Sequence, residues 1–195
     1  MMKNKSIYDG WIDEMASFQL PRWNELSSVP LYMDQLLALV KDYLKSFRLQ
    51  DTSNMEITPA MVNNYVKLGL MPKPEKKRYY RRHIAYLIII TLFKQAISIQ
   101  EIRKVLVYLA ASHGNEQAYN LFCTYLETSV RKECHYYQTG EFTYENGQAY
   151  KDPDHFDHYI IWNACSLITH LIFSRRLIEC LSPEDLVLDE QKISS

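Results

Sequence analysis

Asn63, Asn64 and Lys67 fall within one turn and a residue of each other in the stretch ITPAMVNNYVKLGLMP, and the chain then runs directly into KPEKKRYYRRHI. An asparagine amide carries a donor and an acceptor side by side, which suits a phosphate or, used bidentately, the edge of an adenine. Residues 73–82 hold six cations (Lys73, Lys76, Lys77, Arg78, Arg81, Arg82) and one anion, Glu75, a net +5. The whole chain has 22 Lys+Arg against 23 Asp+Glu, so everything outside that window is net −6. A focused cationic field on an otherwise acidic body attracts a polyanion to one place and repels it elsewhere.

Local signals say how these side chains are held. Thr58 suits a helix N-cap with Pro59 at the first helical position, and Gly69 suits the left-handed residue just past the end, which predicts a short helix over about 59–68. On it Asn63, Asn64 and Lys67 face outward while Val62, Tyr65 and Val66 face inward. Pro72 and Pro74 forbid further helix and force an extended segment over about 72–82. His83 opens a stretch to Lys94 that is apolar nearly all round, as a central core helix must be. Upstream, Leu36, Leu37, Val40, Leu44 and Phe47 recur at helical spacing, with Pro30 suited to that helix's first turn. Downstream, Ser98 and Glu101 form a capping box for a helix through Leu109. Asn115 caps another with Tyr119, Phe122, Leu126 and Val130 on one face. A loop over 140–153, a long helix over 159–180 and a short one capped at Ser182 complete the reading. The first thirty residues, with Tyr8, Trp11, Ile12, Met15 and Phe18 on one face, read as an arm packed on the body.

The composition agrees with an all-α, mainly helical globular protein: 195 residues, 47% hydrophobic, 23% charged and only 5 glycines, with no strand-alternating run of useful length. Asp9, Asp13 and Glu14 interrupt the N-terminus, so no signal-peptide region is expected there and the cytoplasm is the expected compartment. Cys123, Cys134, Cys165 and Cys180 are widely spaced without a CxxC and read as core thiols. Residues 159–181 raise the membrane question, but Asn163, His170, Arg175, Arg176 and Glu179 favour a buried helix over a span. His155 and His158, among Asp152, Asp154 and Asp157, have the types of a metal site, yet aspartates at a helix start explain them more simply, and no metal is expected. No nucleophile-and-base pair, paired-carboxylate motif or glycine-rich phosphate loop is present, so no enzyme activity and no cofactor are expected.

The residues also carry a resemblance. ITPAMVNNYVKLGLMP resembles the second helix of the MerR family of bacterial transcription regulators, KRYY resembles that family's wing with Arg78 and Tyr80 as its Arg-x-Tyr unit, and QAISIQEI resembles the turn and helix that follow. Asn63, Asn64 and Tyr65 stand where that family has an Arg-Tyr-Tyr-like centre, Arg81 and Arg82 where it tends to Ser-Glu, and Ala96 where it has glycine. LPRWNELSSVPLYMDQLL resembles the opening of the YkrK-like family of Firmicute proteins. The resemblance implies an N-terminal arm (1–30), a winged helix-turn-helix of MerR type (31–109) and a helical C-terminal module (110–195) for dimerisation or effector binding. It implies a sequence-specific regulator bound to double-stranded DNA as a homodimer, with Asn63, Asn64, Lys67, Lys76, Lys77, Arg78, Tyr80, Arg81 and Arg82 at the DNA.

Two other readings stand beside this one. The winged fold could serve a protein-interaction adaptor without DNA binding, which the asparagines and the acidic remainder allow. The aromatic C-terminal half (Tyr136, Tyr137, Tyr159, Trp162, Phe173) could also line a pocket through which such a regulator senses a small-molecule effector.

Overall fold

A computed structural model describes residues 4–48, 56–141 and 155–181. Six α-helices lie among the described residues: α1 (Lys5–Ala16), α2 (Met33–Tyr43), α3 (Pro59–Lys67), α4 (Arg81–Phe93), α5 (Ile99–Thr139) and α6 (His155–Glu179). The local signals act where the sequence places them. Thr58 Oγ1 accepts from the Met61 amide at 3.3 Å, Pro59 is the first residue of α3, and Gly69 follows at φ 66. Ser98 and Glu101 exchange side-chain-to-backbone bonds of 3.3 and 2.9 Å at the head of α5.

Burial sorts the helices into a centre and a shell. α4 is buried from His83 through Phe93 with only Tyr86 partly open, as its nearly all-round apolar sequence requires. α2 packs on it with Leu36 and Val40 buried, α3 packs on α2 with Val62 and Tyr65 buried, and α5 and α6 also lie against α4. α1 lies on α5, with Tyr8, Trp11, Ile12 and Met15 all buried, so the amphipathic arm is a full part of the core. The Trp11 ring meets Phe173 of α6 edge-on at 4.7 Å, and its Nε1–H donates to the Ser46 carbonyl.

Two local expectations change, and the break between two others is located. Pro30 lies outside α2, which starts at Met33 behind a Tyr32 N-cap, because Leu31 is used instead in an antiparallel bridge to Tyr79. The two helices expected on either side of residue 110 are present as the two arms of α5, which meet at a non-helical elbow at Gly114 (φ 75, ψ 163), just before Asn115; the expected domain boundary at 109/110 falls inside the first arm. Among the apolar residues of α6, Ile161, Ile168 and Ile172 face the molecule's own core, whereas Phe156, Tyr159, Trp162, Leu167, Leu177 and Ile178 stay exposed. Gly140 ends α5 at φ 74; most of the expected loop over 140–153 and the helix expected at Ser182 lie outside the described residues.

The four cysteines are buried free thiols. Burial pushes Cys123 up to about 12 and Cys134 to about 11, which keeps both protonated and unreactive at neutral pH. Among the described residues no helix is long and apolar enough to cross a membrane.

Candidate nucleic-acid interface

α3 presents its polar side chains outward. Asn63, Asn64 and Lys67 are exposed, Val62 and Tyr65 are buried, and Val66 is partly covered. The helix ends firmly because the Leu70 and Met71 amides both return to the Tyr65 carbonyl, at 2.9 and 3.3 Å, and both side chains are buried. Arg103 of α5 donates from Nε to the Gly69 carbonyl at 3.4 Å, adding a cation at the same helix end.

The cationic window folds into a tight hairpin. Glu75 and Arg78 exchange backbone bonds of 3.2 and 2.9 Å around Lys76 and Lys77, which have φ of 48 and 61. Positive φ at both central residues is the signature of a type I′ turn, which ordinarily selects Asn-Gly. Two lysines there store backbone strain of about 1–2 kcal/mol each. Both side chains are exposed, so the strained tip offers two ammonium groups to solvent.

The base of the hairpin is held from three sides. Leu31 and Tyr79 exchange bonds of 2.8 and 2.9 Å, tying it to the chain that enters α2. The Arg78 guanidinium lies 3.4 Å over the Tyr32 ring, a cation–π contact at the α2 N-cap. His83, fully buried, bridges the two ends of the segment: its Nδ1 accepts from the Tyr80 amide at 2.8 Å, so its Nε2 carries the proton and faces the Lys73 carbonyl at 3.4 Å. Tyr79, not Tyr80, enters the core, and Tyr80 is half-buried.

Two more of the expected DNA-binding cations have partners within the chain. Arg82 pairs with Glu75 at 2.8 Å, and Arg81 donates from Nε to the Leu26 carbonyl at 3.2 Å. Their opposition to the α4 macrodipole is therefore relieved in part internally. Lys67, Lys76 and Lys77 remain outward-facing and carry the cationic surface.

His83, Tyr32 and Arg103 were not singled out from the sequence. Only His83 had a local signal, its position three residues after the N-cap of α4, from which a side chain reaches back to the cap amide. Burial, the largest influence, holds its imidazole below the usual histidine value. Because the unfolded value, ~6.5, is higher, the unfolded chain binds more protons in acid, and His83's contribution is present near neutrality and lost as pH falls below that value. Protonation of Nδ1 also removes the acceptor of the Tyr80 amide. The melting-temperature advantage of wild type over His83→Gln should thus shrink between about pH 7.5 and about 5.5. A constant difference would mean that His83 does not titrate in this range.

Of the histidine–aspartate cluster, Asp157 has contacts that tie helices together. Asp157 accepts from the Tyr108 hydroxyl at 2.7 Å, the main reason its carboxyl is lowered, and its other oxygen lies 2.8 Å from His113 Nε2. Both contacts fasten α6 to the first arm of α5. Asp152, Asp154 and the His155 side chain lie outside the described residues. Of the aromatics considered for an effector pocket, Tyr137 donates to Asp9 at 2.7 Å and Phe173 packs on Trp11, while Tyr136, Tyr159 and Trp162 are exposed.

A family model described as "Domain of unknown function (DUF1836)" matches residues 21–125, just over half of the chain, so the chain belongs to that family. No curated protein and no solved structure matches it. The matched region begins at the segment that leads into α2 and reaches past the Gly114 elbow, taking in α3, the hairpin and α4.

Proposed function

We propose that this member of the DUF1836 family is a cytoplasmic, sequence-specific, duplex-DNA-binding transcription regulator with a winged helix-turn-helix of MerR type. The observation that supports this most is the sequel of two elements: a capped helix with Asn63, Asn64 and Lys67 exposed, then a hairpin that places two lysines on a strained tip. In this reading α3 enters the major groove and the hairpin grips phosphates beside it. Selection of bound fragments from genomic DNA tests binding and specificity together; an enriched common sequence is expected, and recovery no different from input would sink the proposal.

Base reading by the asparagines has its own test. Asn63→Ala or Asn64→Ala should cost ~1–3 kcal/mol on the preferred site if bidentate to a base, and much less on random DNA. Equal losses on both would make these residues phosphate clamps. No loss on either would favour the adaptor reading, which the internal partners of Arg81 and Arg82 keep open.

We also propose that the regulator is a homodimer. One short helix reads only a few base pairs, and a second half-site multiplies that information through an effectively intramolecular contact. The exposed row on α6, with Phe156, Tyr159, Leu167 and Ile178 each at least half exposed, is the apolar surface that a second copy would cover. Light scattering should give twice the chain mass for wild type and the chain mass for Leu167→Glu with Ile178→Glu. A monomeric wild type would rule this interface out.

A further inference from the structure

α5 owes its elbow to Gly114, whose φ of 75 and ψ of 163 belong to a region essentially confined to glycine, and no atom lies within 4 Å of where a Cβ would stand. The turn brings both arms of α5 over α4 and leaves a cleft between them, closed at one end by Ile161 of α6, with a cavity of about 30 Å³. That is room for about two water molecules and well short of the ~150 Å³ that holds a benzene ring, so a ring enters only by opening the elbow. Water gains nothing here, because the walls are apolar: Ile89 and Phe93 from α4, Ile102 from the first arm and Phe122 from the second. Ala85, Ala110 and Ala118 line the same space, where larger side chains would fill it.

One polar pair stands at the solvent-exposed edge of the apolar lining. The Tyr86 hydroxyl donates to Asn115 Oδ1 at 3.1 Å, just beyond the elbow. An amide oxygen has two lone pairs, and Tyr86 takes one. No charged side chain lines the cavity, so a charged ligand would be left unpaired there at high cost. The aromatic walls suit a flat ring, and the free lone pair of Asn115 suits one donor.

We propose that the elbow of α5 is a binding site for an uncharged, flat aromatic small molecule carrying a single N–H or O–H donor. The ring enters between α4 and the two arms, its donor meets Asn115 Oδ1, and the arms spread about Gly114 to admit it. The site depends on no property of the DNA-binding surface and holds whether or not the chain binds DNA.

Indole is a suitable probe, titrated into the full chain with ¹³C-labelled isoleucine methyls. The Ile89, Ile102 and Ile161 signals should shift along one saturable curve, while that of Ile7, exposed on α1, stays in place. Ala118→Leu fills the space and should weaken binding about tenfold or more, with Ala110→Val as the second filling variant should the first not give a native spectrum. Val29→Ala, at an exposed position outside the cavity lining, should bind like wild type. Shifts that do not saturate, shifts as large at Ile7, or unchanged affinity in a folded filling variant would each overturn the site.

Discussion

Replacing Lys76 and Lys77 together with alanine should flatten the salt dependence of DNA binding by up to ~2 units of d log K/d log[salt] per subunit, because each neutralised phosphate contributes about −0.9. The two ammonium groups are exposed at the turn of the hairpin, without the internal partners that Arg81 and Arg82 have. A second variant separates charge from shape. Lys76→Asn with Lys77→Gly gives the turn the residues that its positive φ angles favour, so the fold should gain about 1 kcal/mol or more while DNA binding falls as in the alanine pair. Strain kept at a tip that a better turn sequence would relieve is what a functional position looks like. A titration in which either double variant keeps the wild-type slope would remove the hairpin from the mechanism.

What could be read from the sequence was whatever a few neighbouring residues decide. Thr58, Pro59 and Gly69 bound α3, and Ser98 with Glu101 starts α5, because caps are local chemistry. The hairpin itself was not legible, since Lys-Lys lacks the Asn or Gly that marks a type I′ turn and the pairing of Leu31 with Tyr79 joins segments far apart in the chain. Asn115 marked the start of a second helix, but the direction in which that arm turns depends on the surfaces it then covers. In α6 the apolar residues run nearly all round, so periodicity could not separate Ile161, Ile168 and Ile172, which face inward, from Tyr159, Leu167 and Ile178, which do not. The identity of the candidate DNA-facing residues on α3 was legible for the opposite reason: a short amphipathic helix leaves Asn63, Asn64 and Lys67 only one side to occupy.

The largest loss of stability is expected from Arg22→Ala. Glu127 of α5 has a side chain only 3% exposed, and it accepts from both Arg22 Nη atoms, at 2.6 and 2.7 Å, and from the Leu20 amide at 3.0 Å. Removing one partner of a buried pair costs ~3–5 kcal/mol, because the remaining charge stays desolvated. Arg22 is 38% exposed, and Arg131 Nη1 stays 3.8 Å from the other Glu127 oxygen, so solvent screening and this second cation lower the expectation to ~2–3 kcal/mol. Glu127→Gln should cost less, about 1 kcal/mol, because it keeps an acceptor for Leu20 and leaves behind an arginine that can turn to water. Urea unfolding of the two variants checks this order; equal losses would show that the carboxylate is not stranded when Arg22 is gone. The pair also hooks residues 20–26 onto the second arm of α5, together with Tyr119 to the Pro21 carbonyl at 3.0 Å and the Trp23 amide to Asn120 at 2.9 Å. The same strap supplies the Leu26 carbonyl that restrains Arg81 at the head of α4. Arg22→Ala should therefore loosen that restraint as well, and a less ordered Arg81 signal in the folded variant at low urea is the accompanying change to look for by NMR.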